Sequence, residues 1–112
     1  MSELAQRRCI PCEGGVKPHD LASATRMKAS LRPEWALVRD GKLLEATFEF
    51  RDYYRTQAFV NAVAYIAHHE NHHPELVFGY KTCTVRWWTH AIDGLSDNDF
   101  ICAAKVDQLL AD

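Results

Sequence analysis

The chain has 112 residues, a formal net charge of -2, 47% hydrophobic residues and 25% charged residues. This length suits one small domain that can bury a core. The near-neutral charge favours neither nucleic acid nor an anionic membrane as a partner, and no apolar run approaches the ~20 residues of a membrane helix. The first eight residues also lack the apolar stretch of a secretory signal. We therefore expect a cytoplasmic protein.

The N-terminal residues 1–17 show no sustained periodicity, which predicts an arm ahead of a single domain at 18–112. Within the arm, Cys9 and Cys12 form a Cys-x-x-Cys pair. Such a pair alone is a weak signal for zinc or redox chemistry, because a structural zinc site usually needs four ligands and the sequence has no second pair. We therefore expect no metal site.

The domain opens with a helix and a pair of strands. Asp20 can cap a helix of about ten residues, which Pro33 ends. Two strands follow, at Trp35 to Val38 and at Leu43 to Phe50, and the turn between them contains Asp-Gly. The second strand alternates apolar and polar residues, which indicates a sheet with one buried face and one wetter face.

A longer helix, a second pair of strands and a last helix complete the domain. Asp52 can cap the long helix, which runs to about residue 71 and carries apolar residues at helical spacing. Strands are expected near Leu76 to Phe78 and at Thr82 to Thr89, and the last helix starts at Ser96 to Asp99. This order predicts an α+β fold, a single domain in which three helices pack on one face of a four-stranded antiparallel sheet.

Four of the six histidines lie within residues 68–73, where the long helical pattern ends. The run from His69 to His73 matches H-E-x-x-H, a zinc metalloprotease motif. Pro74 counts against this interpretation, because the residue before a proline is pushed out of the helical region and the two histidines lose their common face. A third ligand at the usual distance downstream is also missing.

Two other interpretations of the histidine run remain open. Cationic histidines near a helix C-terminus gain modestly from the helix dipole, so the run could be a solvated helix end. Imidazoles at a helix end and in the loop after it could instead converge on one small-molecule site. Proton transfer would suit them there, since the unperturbed pKa of histidine lies closest to neutral pH. His90 follows a strand end and could join the others from the sheet.

The sequence closely resembles the pterin-4a-carbinolamine dehydratase family over about residues 18–112. The residues that carry the resemblance are, in chain order, Trp35, His72-His73-Pro74-Glu75, Tyr80, Thr89-His90, Gly94-Leu95-Ser96 and Asp99. The intervals between these landmarks and the order of helices and strands also match the family.

The resemblance implies a lyase that dehydrates 4a-hydroxytetrahydropterin to quinonoid dihydropterin and so recycles the cofactor of aromatic amino-acid hydroxylases. It implies acid/base catalysis by histidine without a metal or a cofactor. One group would protonate the leaving hydroxyl, and another would take a proton from the ring nitrogen. It also implies a homodimer or homotetramer, which agrees with the need to protect exposed sheet edges.

Three histidines, His72, His73 and His90, match the catalytic positions of the family. The resemblance also places Trp35 and Pro74 at the substrate, the indole against the flat pterin and the proline fixing the loop that carries two histidines. For Trp35, a core residue at the start of a strand is an equal alternative.

Two further residues are expected to support the site. Asp99 matches a supporting acidic residue, although Ser96-x-x-Asp99 also resembles a capping box, and the two roles are compatible. His68 stands where many relatives carry an acidic residue. This difference leaves open which histidine acts as acid and which as base.

Two functions other than dehydration remain as alternatives. Some animal members of the family are interaction modules that stabilise dimers of a homeodomain transcription factor. Some microbial members are suspected of acting on another pterin, such as a molybdopterin-related compound. A histidine cluster does not distinguish one pterin from another, so turnover of a 4a-hydroxytetrahydropterin is the discriminating observation.

Overall fold

The computed structural model describes residues 3–11 and 16–111. Within them the helices are α1 (Glu3–Gln6), α2 (Leu21–Lys28), α3 (Tyr53–Glu70) and α4 (Asp97–Leu109). The strands are β1 (Ala36–Val38), β2 (Leu43–Glu49), β3 (Glu75–Phe78) and β4 (Thr82–Trp87), and a 3-10 turn lies at His90–Ile92. No helix in these ranges has the length and apolarity needed to cross a bilayer.

The alternating residues of the strands build one antiparallel sheet with the strand order β1-β2-β4-β3. Across the two central strands, Leu44 pairs with Trp87 and Phe48 pairs with Cys83, and all four side chains are buried. Helices α3 and α4 pack over this buried face. The predicted α+β fold with a four-stranded antiparallel sheet is confirmed, and it leaves β1 and β3 at the sheet edges.

The predicted helix starts are confirmed. The side chain of Asp20 accepts a hydrogen bond from the Ser23 amide, and Asp52 accepts one from the Arg55 amide, both at 2.8 Å. Helix α4 begins after Ser96 in a capping box. These caps satisfy amides that have no partner inside the helix, and so they fix where each helix begins.

A short helix in the N-terminal arm was not expected from the sequence. Helix α1 packs against α4 and buries Leu4 and Ala5. The Lys105 ammonium also donates a hydrogen bond to the Ala5 carbonyl oxygen at 2.8 Å. One turn of helix is too short for a periodic pattern, and tertiary contacts stabilise it instead. Cys12, the second cysteine of the Cys-x-x-Cys pair, lies outside the described residues.

Candidate active site

The end of α3 determines where the histidine run points. Asn71 adopts a left-handed conformation (φ 53°, ψ 45°) and stops the helix one residue after Glu70. The His72 amide then donates back to the Ala67 carbonyl oxygen at 3.1 Å, as in a Schellman motif. His72 and His73 therefore lie in the loop, and the helical spacing that H-E-x-x-H requires is absent.

From the sequence alone, Pro74 is expected to take His73 out of the helix, but Asn71 already ends the helix. Asparagine tolerates the left-handed region better than most residues, so an asparagine next to a histidine run is a usable end signal. Pro74 follows three residues later and is half-buried, and it is not among the described residues that line the cleft next to the loop.

His72, His73 and His90 all line one cleft of about 440 Å³. The loop after α3 supplies the first two, and the 3-10 turn after β4 supplies the third. A bridge between Thr89 and Gly94, with the Thr89 amide 2.8 Å from the Gly94 carbonyl oxygen, closes that turn. The volume falls within the range of small-molecule sites.

His72 is held firmly on two sides. Its Nε2 lies 2.6 Å from Oδ1 of Asp99, and its ring stacks on the Trp87 indole at 5.7 Å between centroids with an interplanar angle of 5°. The imidazole is only 12% exposed, whereas the Asp99 side chain is fully buried. Packing and hydrogen bonding together fix the orientation of this ring.

Asp99 uses both of its carboxylate oxygens. Besides the contact with His72, its Oδ2 accepts a hydrogen bond from the Thr89 hydroxyl at 2.8 Å and one from the Ser96 amide at 2.9 Å. The Ser96 bond belongs to the capping box of α4. One buried side chain therefore joins the start of α4, the end of β4 and the histidine loop.

The other two histidines are more accessible. His73 and His90 are exposed, and the His90 ring lies 4.5 Å from the Trp88 ring, centroid to centroid. Trp88 is half-buried at the cleft and was missed as a site residue. The sequence signal was its position on the wetter face of a predicted strand, where burial in the core does not explain the presence of an indole.

Besides Pro74, the predicted site residues Trp35 and His68 do not line the cleft. Trp35 is 1% exposed in the core, where its Nε1 donates to Oδ1 of Asp107 at 2.7 Å and its ring packs edge-on against Phe48. His68 is exposed on the last turn of α3 and is not among the residues that line the cleft. These positions favour the core alternative for Trp35 and separate His68 from the other histidines.

The N-terminal arm supplies a part of the cleft that sequence reasoning missed. The segment from Arg8 to Pro11 lines the cleft together with Glu70 and Asn98. Glu70 accepts a hydrogen bond from the Cys9 amide at 2.8 Å. No local pattern could have revealed these contacts, because they join residues that are far apart in the chain.

Burial alone would raise the pKa of the Glu70 carboxyl. The Cys9 amide, the Lys105 ammonium and the Arg8 guanidinium together outweigh it, so the pKa lies below its usual value. Glu70 is therefore a charged anchor rather than a proton donor. Within residues 3–11 and 16–111, no group of three or more histidine, cysteine, aspartate or glutamate side chains is placed to hold a metal ion.

Known proteins share this fold. A solved structure from Brucella melitensis, described as a transcriptional coactivator/pterin dehydratase, superposes with a TM-score of 0.79 at 22% identity and covers 85% of this chain and 100% of its own. A pterin dehydratase-like protein, described as a RuBisCO assembly factor in the alpha-carboxysome, gives a TM-score of 0.59 at 25% identity over 68% of this chain and 88% of its own.

Closer relatives exist among the curated sequences. A protein of Dechloromonas aromatica, provisionally named pterin-4-alpha-carbinolamine dehydratase, is 56% identical over 107 residues, which are 96% of this chain and 93% of its own. A Nitrosomonas europaea protein with the same provisional name is 51% identical over the same shares. The family model described as pterin 4 alpha carbinolamine dehydratase matches residues 15–109. The chain therefore belongs to the pterin 4 alpha carbinolamine dehydratase family.

Proposed function

We propose that this protein dehydrates a 4a-hydroxytetrahydropterin to the quinonoid dihydropterin. The observation that carries the proposal is the convergence of His72, His73 and His90 on one small cleft, with His72 oriented by the buried Asp99. Family membership makes a pterin the substrate class. Three imidazoles at one site supply the acid and the base that this reaction needs.

The chemistry requires two proton transfers and no change of oxidation state. The bond between C4a and the hydroxyl oxygen breaks, and a proton from a general acid converts the leaving hydroxyl to water. A general base removes the proton on N5, and the electron pair of that N–H bond forms the C4a=N5 double bond. The acid loses one proton and the base gains one, so exchange between the two groups or with solvent restores the site.

His72 suits one of these roles because its tautomer is fixed. An ionised carboxylate accepts hydrogen bonds only, so the proton in the short contact with Asp99 belongs to Nε2 of His72. Nδ1 is then the nitrogen that can take up or release a proton, and the carboxylate stabilises the imidazolium that forms. This arrangement follows the logic of a histidine oriented by a buried acid.

His73 and His90 are the candidates for the second role. Both are exposed and line the same cleft, so they can exchange protons with solvent between turnovers. The Trp88 indole beside His90 offers an apolar surface against which a flat pterin can pack. Trp88 thus takes the part that the sequence analysis assigned to Trp35.

The biological setting belongs to the same proposal. A 4a-hydroxytetrahydropterin is the form in which aromatic amino-acid hydroxylases leave their cofactor, so dehydration would serve its recycling in the cytoplasm. We also expect a homodimer or homotetramer. Val77 and Phe78 of the edge strand β3 are 53% and 40% exposed, a surface that a second copy can cover.

The direct test is dehydration of chemically prepared 4a-hydroxytetrahydropterin by the purified protein, with and without a strong chelator added beforehand. We expect a rate well above that of the buffer alone, and the same rate after chelation. Activity that is lost with chelator and regained with zinc would contradict metal-free catalysis. A rate equal to that of buffer would contradict the dehydratase proposal.

A second candidate function is an interaction or assembly role, or action on another pterin such as a molybdopterin-related compound. The assembly role is supported by the similarity to the pterin dehydratase-like protein described as a RuBisCO assembly factor. A folded protein that binds a dihydropterin but does not dehydrate the carbinolamine would favour action on another pterin. A folded protein that does neither would favour the assembly role.

A further inference from the structure

The N-terminal segment from Arg8 to Pro11 crosses the rim of the histidine cleft and is tied to the domain by its backbone. The Asn98 side chain makes two hydrogen bonds with one residue of this segment. Its Oδ1 accepts from the Ile10 amide at 3.0 Å, and its Nδ2 donates to the Ile10 carbonyl oxygen at 2.6 Å. The amide of one buried asparagine thus pairs with the backbone as a neighbouring strand would.

Glu70 holds the residues just before Ile10. Its side chain is 1% exposed and accepts from the Cys9 amide at 2.8 Å, while Arg8 Nε lies 3.1 Å from its Oε2. Arg8 Nη2 also donates to the His69 carbonyl oxygen at 3.3 Å. These bonds connect the segment to the last turn of α3, immediately before the histidine loop.

Glu70 and Asn98, the two anchors of the segment, lie close in the sequence to His72 and Asp99. Glu70 precedes His72 by two positions, and Asn98 precedes Asp99 directly. Buried polar groups cost stability unless they are hydrogen-bonded, and here their partners are backbone groups of the arm. The arm is therefore hydrogen-bonded to the end of α3 and to the start of α4, next to the His72–Asp99 pair.

Ile10 shows that these bonds do not serve to bury a side chain. It is 70% exposed, yet it lines the cleft together with Pro11. An apolar side chain kept at the rim of a polar cleft by bonds to its own backbone is placed to contact a ligand in that cleft. The indole of Trp88 lines the same cleft.

We propose that Glu70 and Asn98 are positioning residues that hold the segment Arg8–Pro11 as a substrate-binding wall of the pterin site. The inference rests on the proposed function for the identity of the ligand. The wall contributes to pterin binding and leaves proton transfer to the histidines. Loosening it should therefore raise KM and leave kcat nearly unchanged, because occupancy of the binding-competent state falls while the acid and base stay in place.

The test compares Asn98→Ala with the matched control Asn61→Ala, which changes an exposed asparagine in the middle of α3. If the wall is in place a tenth of the time in Asn98→Ala, KM rises about tenfold. We expect kcat to change less than about twofold, and amide hydrogen exchange at Cys9 and Ile10 to accelerate. Asn61→Ala should change none of these.

Glu70→Gln keeps an acceptor for the Cys9 amide and removes the charge next to Arg8, so a smaller rise in KM is expected. The double variant Glu70→Ala, Asn98→Ala removes the acceptors of both anchors and should release the segment fully. Protected amides at Cys9 and Ile10 in that folded double variant would overturn the proposal, because the anchors would then not hold the segment. Faster exchange with an unchanged KM would overturn it as well, and so would a raised KM with unchanged exchange.

Affinity for a 7,8-dihydropterin, which has no 4a-hydroxyl, separates this proposal from the proposed reaction. If the parent binds the dihydropterin but does not dehydrate the carbinolamine, the proposed reaction is contradicted. The binding role of the segment Arg8–Pro11 is then tested by whether Asn98→Ala weakens dihydropterin binding about tenfold. If the parent dehydrates the carbinolamine and Asn98→Ala binds the dihydropterin as tightly as the parent does, the binding role of the wall is contradicted and the proposed reaction stands. A parent that does neither would contradict both proposals.

Discussion

Asp99 is the residue on which the cap of α4 and the orientation of His72 both depend. Its carboxylate is fully buried and accepts from the Thr89 hydroxyl and the Ser96 amide while it contacts His72 Nε2. A substitution there tests two roles at once unless it preserves shape. Asparagine is the side chain that matches aspartate in size.

We predict that Asp99→Asn stays folded and loses activity. Its carbonyl oxygen can keep the bonds from Thr89 and Ser96, so the free energy of unfolding should fall by less than about 1.5 kcal/mol. Its NH₂ group would face His72 Nε2 and favour the other imidazole tautomer, so kcat/KM should fall by about 10²- to 10⁴-fold. Steady-state kinetics and denaturant unfolding measure the two effects.

Asp99→Ala provides the comparison for that prediction. It removes the cap and leaves buried donors without partners, which should cost about 1–3 kcal/mol. An Asp99→Asn variant with parental kcat/KM would show that Asp99 acts only as a cap, and His72 would then need no carboxylate.

The sequence could indicate His72, His73 and His90 as candidates because their residue types suit proton transfer and their intervals match the family. It could not reveal Glu70 and Asn98 as anchors, because their partners lie 61 and 88 positions away. A glutamate at a helix end and an asparagine in the first turn of a helix are common on local grounds. Only the tertiary fold shows that they face the arm.

The way α3 ends, rather than its length, determines where His72 and His73 lie. Asn71 reverses the chain direction with positive φ, and this one residue turns His72 and His73 out of the helix and towards the cleft. Glycine reaches the same conformation without steric cost, whereas β-branched residues resist it.

We predict that Asn71→Gly keeps stability and turnover close to those of the parent, whereas Asn71→Val loses about 1–2 kcal/mol of unfolding free energy. The valine variant should also lose up to about 10²-fold in kcat/KM, since a small displacement of catalytic groups is costly. Thermal unfolding and steady-state kinetics on the pair measure this. A valine variant equal to the glycine variant in both would show that the left-handed turn does not place the histidines.

Helices and strands were predictable where a capping residue or an alternation of apolar and polar residues marks them. Asp20, Asp52 and Ser96 start their helices as expected, and β2 alternates from Leu44 to Glu49. Strand β4 ends at Trp87, two residues earlier than expected, because Thr89 turns away to bridge Gly94. That bridge depends on a contact between two chain segments and leaves no periodic pattern.

Two carboxylates, those of Glu70 and Asp97, join the N-terminal arm to the rest of the domain. Besides Glu70, Asp97 lies 3.1 Å from Arg7 Nη2 and 2.7 Å from His19 Nε2. Partial burial alone would raise the pKa of Asp97, but His19 and Arg7 outweigh it and lower the pKa. The folded protein therefore binds fewer protons at these two groups than the unfolded chain does in mildly acidic solution.

We predict that the stability these two groups contribute is present at neutral pH. It should decline as the pH falls from the ordinary carboxyl values of about 4 through the lower folded values. The double variant Glu70→Gln, Asp97→Asn should show a weaker dependence on pH in that window. Denaturant unfolding between pH 7 and pH 3 measures it, and equal slopes for parent and double variant would contradict the assignment.

We expect the imidazoles gathered at one cleft to carry out the dehydration. The most direct measurement is kcat/KM for 4a-hydroxytetrahydropterin with the parent and with the double variant His72→Ala, His90→Ala, both with chelator present and both shown to be folded. We expect a loss of at least about 10²-fold in the double variant. Turnover by the double variant at the parental rate would contradict it.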